Sequence, residues 1–286
     1  MNSRNNDTSS EKLVWFITGC STGFGRELAK HVLESGYRAV VTARNPDEIK
    51  DLGAIGDALV LKLDVTDAAQ AEAAVDAAKE KYGHIDVLVN NAGIGYFAAM
   101  EESEEAEVRK MFDVNVFGLS RMIHVVLPGM RARRKSFIIN FSSIAGLCAF
   151  PALAYYNATK FAVEGLSEAL WQEVEPLGIK VMLVEPSGFR TDWAGRSANE
   201  SKNHIDDYSA TAGAARRQLR DISGKQTGDP VRAAKAIVEA IASENPPHHL
   251  LLGNDAIDAA LTKLDKLRIE FLGVEKIARA ADFPRS

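Results

Sequence analysis

Six short apolar runs punctuate the chain, at residues 13–17, 38–42, 58–63, 85–89, 137–141 and 179–184, each ending in a turn of small or polar residues. Continuous rather than alternating apolarity is the pattern of strands buried on both faces, as in a parallel sheet. Helical periodicity fills the intervals: 26–35, an alanine-rich stretch reaching Lys79, 101–112, 114–131, and 156–175, where Pro176 and Gly178 stop it. Asp229-Pro230 opens a further helix, to 243, in the N-cap and N1 manner. Residues 249–252 read as a short last strand and 254–268 as a terminal helix. Strands alternating with helices predict an α/β fold, a doubly wound parallel sheet in a single domain over 12–252. Residues 193–228 are polar, alanine-rich and weakly periodic, and predict a small helical substrate lid. The polar segment 1–11 reads as a flexible leader and 253–286 as a C-terminal helical extension.

The turns carry the candidate chemistry. The first, Thr18-Gly19-Cys20-Ser21-Thr22-Gly23-Phe24-Gly25, joins a strand to a helix. Its glycines permit a tight turn and a close approach to a bound group, and the helix start offers free N–H groups to a phosphate. The spacing, Gly-x-x-x-Gly-x-Gly, differs from the Gly-x-Gly-x-x-Gly dinucleotide fingerprint. The second strand ends in Ala43-Arg44-Asn45, where such a domain meets the adenosine ribose. An acidic residue there would repel a 2′-phosphate, whereas an arginine beside a small residue can pair with it. Arg44 therefore predicts NADP(H) over NAD(H). Asp64 ends the third strand, where it can accept from an adenine amino group or close a turn; Asn90-Asn91-Ala92-Gly93 ends the fourth. Asn115 lies among apolar neighbours, so its amide either satisfies backbone or organises water, and spacing alone favours the first.

Tyr156 and Lys160 are four residues apart and rise from one face of a helix, while Ser143 stands at the end of the fifth strand. An ammonium beside a phenol favours the phenolate and brings its pKa toward neutrality, which suits proton transfer. Tyr155 has Thr159, not a lysine, one turn on.

Composition narrows the partners. A net charge of −5 gives no electrostatic footprint for nucleic acid or an anionic membrane surface, and no apolar run approaches a membrane span. Two cysteines far apart imply neither a disulfide framework nor a thiolate site, and the six histidines show no ligand spacing, so no metal and a cytoplasmic location are expected.

In order and spacing, Thr18 to Gly25, Asn90-Asn91-Ala92-Gly93, Asn115, Ser143 and Tyr156-x-x-x-Lys160 resemble the short-chain dehydrogenase/reductase family, over about residues 13–191. The resemblance implies a Rossmann-like sheet and a set of roles. Tyr156 would be the general acid or base, Lys160 would lower its pKa and bind the nicotinamide ribose, Ser143 would position the substrate oxygen, and Asn115 would hold a relay water. Gly19, Ser21, Gly23 and Gly25 would line the pyrophosphate, Arg44 the 2′-phosphate, Asp64 and Val65 the adenine, and Asn91 the ribose region. Pro186, Gly188 and Thr191 resemble the segment beside the nicotinamide carboxamide, although Pro-Ser-Gly here departs from the commoner Pro-Gly. The glycine loop also lacks the basic residue that some NADP-preferring members carry, so the cofactor expectation rests on Arg44. The expected activity interconverts a secondary alcohol and a ketone, or an aldehyde, on an apolar substrate, in a homodimer or homotetramer. Alternatives are a non-catalytic NADP(H)-sensing protein and a nucleotide-sugar epimerase or dehydratase.

Overall fold

A computed structural model of the protein describes residues 12–283; the leader expected at 1–11 lies outside the described residues. The expected parallel sheet is present, with seven strands in the order β3-β2-β1-β4-β6-β7-β9. These are β1 (Val14–Ile17), β2 (Arg38–Ala43), β3 (Ala58–Lys62), β4 (Val87–Asn90), β6 (Ser136–Phe141), β7 (Ile179–Pro186) and β9 (His249–Leu252). The chain moves outward from β1 to β3, then returns past β1 to β4 and moves the other way. That reversal opens a crevice at the carboxyl ends of β1 and β4.

The continuous apolar runs follow from burial on both faces. In β1, Trp15 and Ile17 point into one core, with α1 (Gly23–Glu34) and α7 (Pro230–Ala242), while Val14 and Phe16 point into the other. The second core holds side chains of α2 (Ala68–Tyr82) and α4 (Leu119–Arg133), and the carboxyl-terminal part of α5 (Ala154–Val174). The end of α4 reaches inward: Arg133 pairs with buried Asp86 at 2.9 Å, and Asp86 accepts from the Val14 amide at 2.8 Å. No helix among the described residues is long and apolar enough to cross a membrane.

Three local features differ from the sequence expectation. The two helices expected around residue 113 are one run: α3 (Glu105–Phe112) continues through a π-helical turn, Asp113–Gly118, into α4. Gly118, the last residue of that turn, lets it pack close to Val65, since a Cβ there would lie 2.7 Å away. The terminal helix runs further than expected, as α8 (Asn254–Gly273), and a short α9 (Glu275–Arg279) follows it.

The segment 193–228 is not only helical. It contains β8 (Ala198–Glu200), which pairs in parallel with β5 (Gly95–Phe97), and α6 (Ala212–Asp221). Charge inside the protein ties it down. Glu102 is 1% exposed and accepts from Arg216 at 3.1 Å and from the amides of Ala99 and Ile205. Burial alone would raise the Glu102 carboxyl, but those amides and Arg216 outweigh it and hold it below the ordinary carboxylate range. Arg216 also meets Glu200 at 3.0 Å, and Arg220 donates to the carbonyls of Ala194, Gly195 and Ala198.

Removing one partner of a buried ion pair strands the other charge. Arg216→Met is therefore expected to lower the unfolding free energy by about 3 kcal/mol in urea titrations. A loss below about 0.5 kcal/mol, the range of an ordinary surface substitution, would show that the latch contributes little.

Candidate active site

The crevice is a single cavity of about 1430 Å³ along the carboxyl ends of the strands. Its first wall is the glycine loop. Gly19 and Gly23 have φ of +74° and +60°, a region costly for other residues, and a Cβ on Gly19 would stand 3.0 Å from the Ala92 backbone. The Asn91 side chain fixes this loop by donating to the carbonyls of Thr18 and Gly19 at 2.8 and 3.0 Å. Thr18 Oγ1 in turn accepts from the amides of Asn91 and Ala92.

Gly19, Ser21 and Gly23 face the cavity, but Gly25 does not. It lies behind the loop, where a Cβ would be 2.3 Å from Asn91 Nδ2 and 2.4 Å from the Gly19 carbonyl. Its role is to let α1 pack closely on the loop, and the same residue type at the same spacing concealed that difference.

Arg44, Asp64 and Val65 line the far end. Arg44 is exposed and forms no ion pair among the described residues. Asp64 closes a turn, with Oδ1 accepting from the amide of Thr66 and from its hydroxyl at 2.7 Å, and it is Asp67 that caps α2.

At the other end the cavity reaches Ser143, Tyr156, Lys160, Pro186, Gly188 and Thr191. Ser143 follows β6 by two residues; its hydroxyl accepts from the Ala145 amide at 3.1 Å and lies 3.4 Å from the Pro186 carbonyl. Tyr156 and Lys160, on the first turns of α5, are 7% and 6% exposed. Lys160 Nζ is 5.7 Å from the centre of the Tyr156 ring and donates to the Phe141 carbonyl at 2.7 Å.

Burial decides both ionisations. It pushes the Tyr156 phenol above its ordinary value, against a smaller lowering by the Ser143 hydroxyl. It brings the Lys160 ammonium down to about 8, against a raising effect of Glu164. The sequence expectation had the ammonium governing the phenol; here desolvation is larger.

Asn115 does not face the cavity. From the π-helical turn its Oδ1 accepts from the Ile94 amide at 2.8 Å, and its Nδ2 donates to the Ile94 carbonyl at 2.9 Å and to Thr159 Oγ1 at 3.2 Å. The backbone-satisfying alternative is the one its geometry shows.

Trp193 completes the wall. Its ring centre lies 4.8 Å from that of Tyr156 and 5.4 Å from that of Phe97, and Arg220 lies over Phe97 at 4.7 Å. The contact of Trp193 with Tyr156 joins residues 37 apart in sequence, with no periodicity to announce it. Ser142, which lines the cavity, and Glu164, which accepts its hydrogen bond, were missed in the sequence reading, although Glu164 stands one helical turn beyond Lys160.

The residues present fit a dinucleotide: a loop whose Gly19 and Gly23 have positive φ and no side chain to block a close approach, an unpaired guanidinium at one end, and a phenol with an ammonium at the other. Residues 13–202 match the short chain dehydrogenase family. The chain belongs to that family. A 3-ketodihydrosphingosine reductase of Bacteroides thetaiotaomicron is 39% identical over 243 residues, 84% of this chain and 87% of that one. Among solved structures, a short-chain dehydrogenase of Streptomyces avermitilis superposes with a TM-score of 0.89 at 40% identity, covering 95% of this chain and all of that one. A short-chain dehydrogenase/reductase of Burkholderia phymatum in complex with NAD superposes at 0.79, with 28% identity over 96% of this chain and 98% of that one.

Two hydrogen bonds from the Asn91 side chain hold the glycine loop in the shape that would receive a nicotinamide dinucleotide. Asn91→Ala is expected to weaken that binding about tenfold by calorimetry, the equivalent of about 1.4 kcal/mol for unmade hydrogen bonds. An unchanged Kd would refute this role.

Proposed function

We propose that the protein is an NADP(H)-dependent oxidoreductase that interconverts a secondary alcohol and a ketone, or an aldehyde, with Tyr156 as general acid and base. The observation that carries the proposal is the convergence of Ser143, Tyr156 and Lys160 at one end of a cavity whose other end holds the glycine loop and Arg44. The bound nicotinamide would supply or accept the hydride. Ser143 Oγ would hold the substrate oxygen by hydrogen bonding, and the Tyr156 hydroxyl would deliver its proton to that oxygen in reduction. A phenol raised by burial carries that proton throughout the neutral range, so the protein favours the donor role there. Lys160 would hold the ribose and stabilise the phenolate left behind. Gly19, Ser21 and Gly23 would line the pyrophosphate, Asp64 and Val65 the adenine, and Pro186, Gly188 and Thr191 the nicotinamide end. Asn115 would shape the site through Ile94 and Thr159.

Preference for NADP(H) rests on Arg44, exposed and unpaired next to small Ala43. The substrate region between Ile94, Ala145, Leu153, Trp193, Ala214 and Leu219 is mostly apolar, which supports an apolar alcohol or carbonyl compound. The 3-ketodihydrosphingosine reductase among the relatives is consistent with that class. Phe117, Phe161 and Leu166 are exposed and support assembly into a homodimer or homotetramer.

Tyr156→Phe is expected to lower kcat for carbonyl reduction by about 10²–10⁴-fold while leaving cofactor affinity within a small factor; full turnover would refute the mechanism. Arg44→Ala should weaken NADPH binding about tenfold and leave NADH binding unchanged, about 1.4 kcal/mol for one charge-assisted contact. A wild-type enzyme with a higher kcat/KM for NADH would refute the assignment. The Lys160 cation is present below its pKa and lost above it, so kcat/KM for reduction should fall as pH rises through about 8.

A further inference from the structure

We infer that the C-terminal helices form a subunit interface, in which α8 pairs antiparallel with α8 of a second copy of this chain. This surface adds to the assembly proposed above, whose exposed residues Phe117, Phe161 and Leu166 lie on other elements.

α8 packs on its own domain through its first turns. Ala256 and Ala260 are buried there with Ile144 and Cys148, in the loop that follows Ser143. Every residue from Arg268 to Phe283 is exposed. Nine of the sixteen large apolar side chains exposed among the described residues lie between 257 and 283, from Ile257 at 41% to Phe283 at 94%. A helix draws most of its stability from packing an apolar face, and exposed apolar surface on this scale marks an interaction site. Nine such side chains offer on the order of 800 Å² per subunit, the share that each partner gives to a stable interface.

The spacing along α8 fits a second helix. Ile257, Leu261, Leu264, Arg268 and Phe271 recur at intervals of four, three, four and three residues, the seam of two helices wound together. The buried line of Ala256 and Ala260 stands one residue earlier, so the seam lies about 100° around the helix, beside the domain rather than beneath it.

Charge separates a copy of this chain from a lipid surface. α8 carries four acidic and three basic residues, so it has no basic face for anionic lipid. Arg268 stands within the seam itself, where hydrocarbon would leave its charge unmet. Neither Arg268 nor Asp258 has an ion-pair partner among the described residues. A parallel pair would set Arg268 against Arg268. An antiparallel pair, with Leu261 of one copy against Leu264 of the other, sets Arg268 against Ile257 and brings Asp258 beside the guanidinium. Two-fold symmetry forms that ion pair twice, as an isologous contact requires. In this register residues 269–283 run past the start of the other α8 and onto the other domain, which covers Ile277 and Phe283 as well.

The test is the mass of the full-length protein by light scattering after gel filtration, with its self-association constant by analytical ultracentrifugation and circular dichroism as the check on folding. Leu264→Glu, at an exposed position, should leave the spectrum unchanged and halve the mass. Asp258→Arg and Arg268→Asp should each weaken association about a hundredfold, tenfold for each of the two symmetric pairs, and the double variant should return to within about tenfold of wild type. A double variant no better than either single one would overturn the pairing, since a merely sticky face is not rescued by exchanging charges. Equal masses for wild type and Leu264→Glu, both above that of one chain, would overturn this interface and leave the assembly proposed above standing. A wild type with the mass of one chain at every concentration would overturn both. Flotation of wild type, but not of Leu264→Glu, with phosphatidylcholine vesicles would assign the face to lipid and overturn the pairing too.

Discussion

Burial of a phenol and an ammonium within one helical turn is the constraint on which the site depends. Each loses its charged form by desolvation, Tyr156 upward and Lys160 downward, and the protein offsets little of either inside the pair. A proton is therefore held on the phenol at neutral pH. The lysine charge must be sustained from outside the pair, by a carbonyl at 2.7 Å and a carboxylate one turn away.

The fold creates this burial through strand order. Because the chain reverses between β1 and β4, loops from both halves of the sheet end in the same crevice, and the first turns of α5 line it. The remaining side is closed by the 193–228 segment, whose Trp193 covers the Tyr156 ring. That cover holds because a buried Glu102–Arg216 pair and a small β5–β8 pairing fasten the segment to the rest of the domain. The burial of Tyr156 thus depends on charge pairing at residue 216.

What sequence revealed, and what it hid, divides by range. Parallel strands announced themselves because both faces are buried, leaving runs such as 13–17 wholly apolar. The glycine loop and Tyr156-x-x-x-Lys160 were legible because their chemistry is compressed into one turn or one helical repeat. The Glu102–Arg216 pair joins residues 114 apart, and the three-residue strands β5 and β8 are too short to carry a pattern. The π-helical turn around Asn115 changes helical geometry with no compositional mark, so two helices were expected where one runs on. Gly25 looked like a ligand contact because packing and cradling require the same residue.

The ionisation of Tyr156 can be observed directly. An ultraviolet difference titration of wild type against Tyr156→Phe, without cofactor, follows one phenol through its phenolate absorbance. Desolvation predicts that this phenolate is still absent at about pH 10, where an ordinary tyrosine is half ionised. A Tyr156 phenolate appearing below about pH 9 would show that Lys160, rather than burial, governs the site.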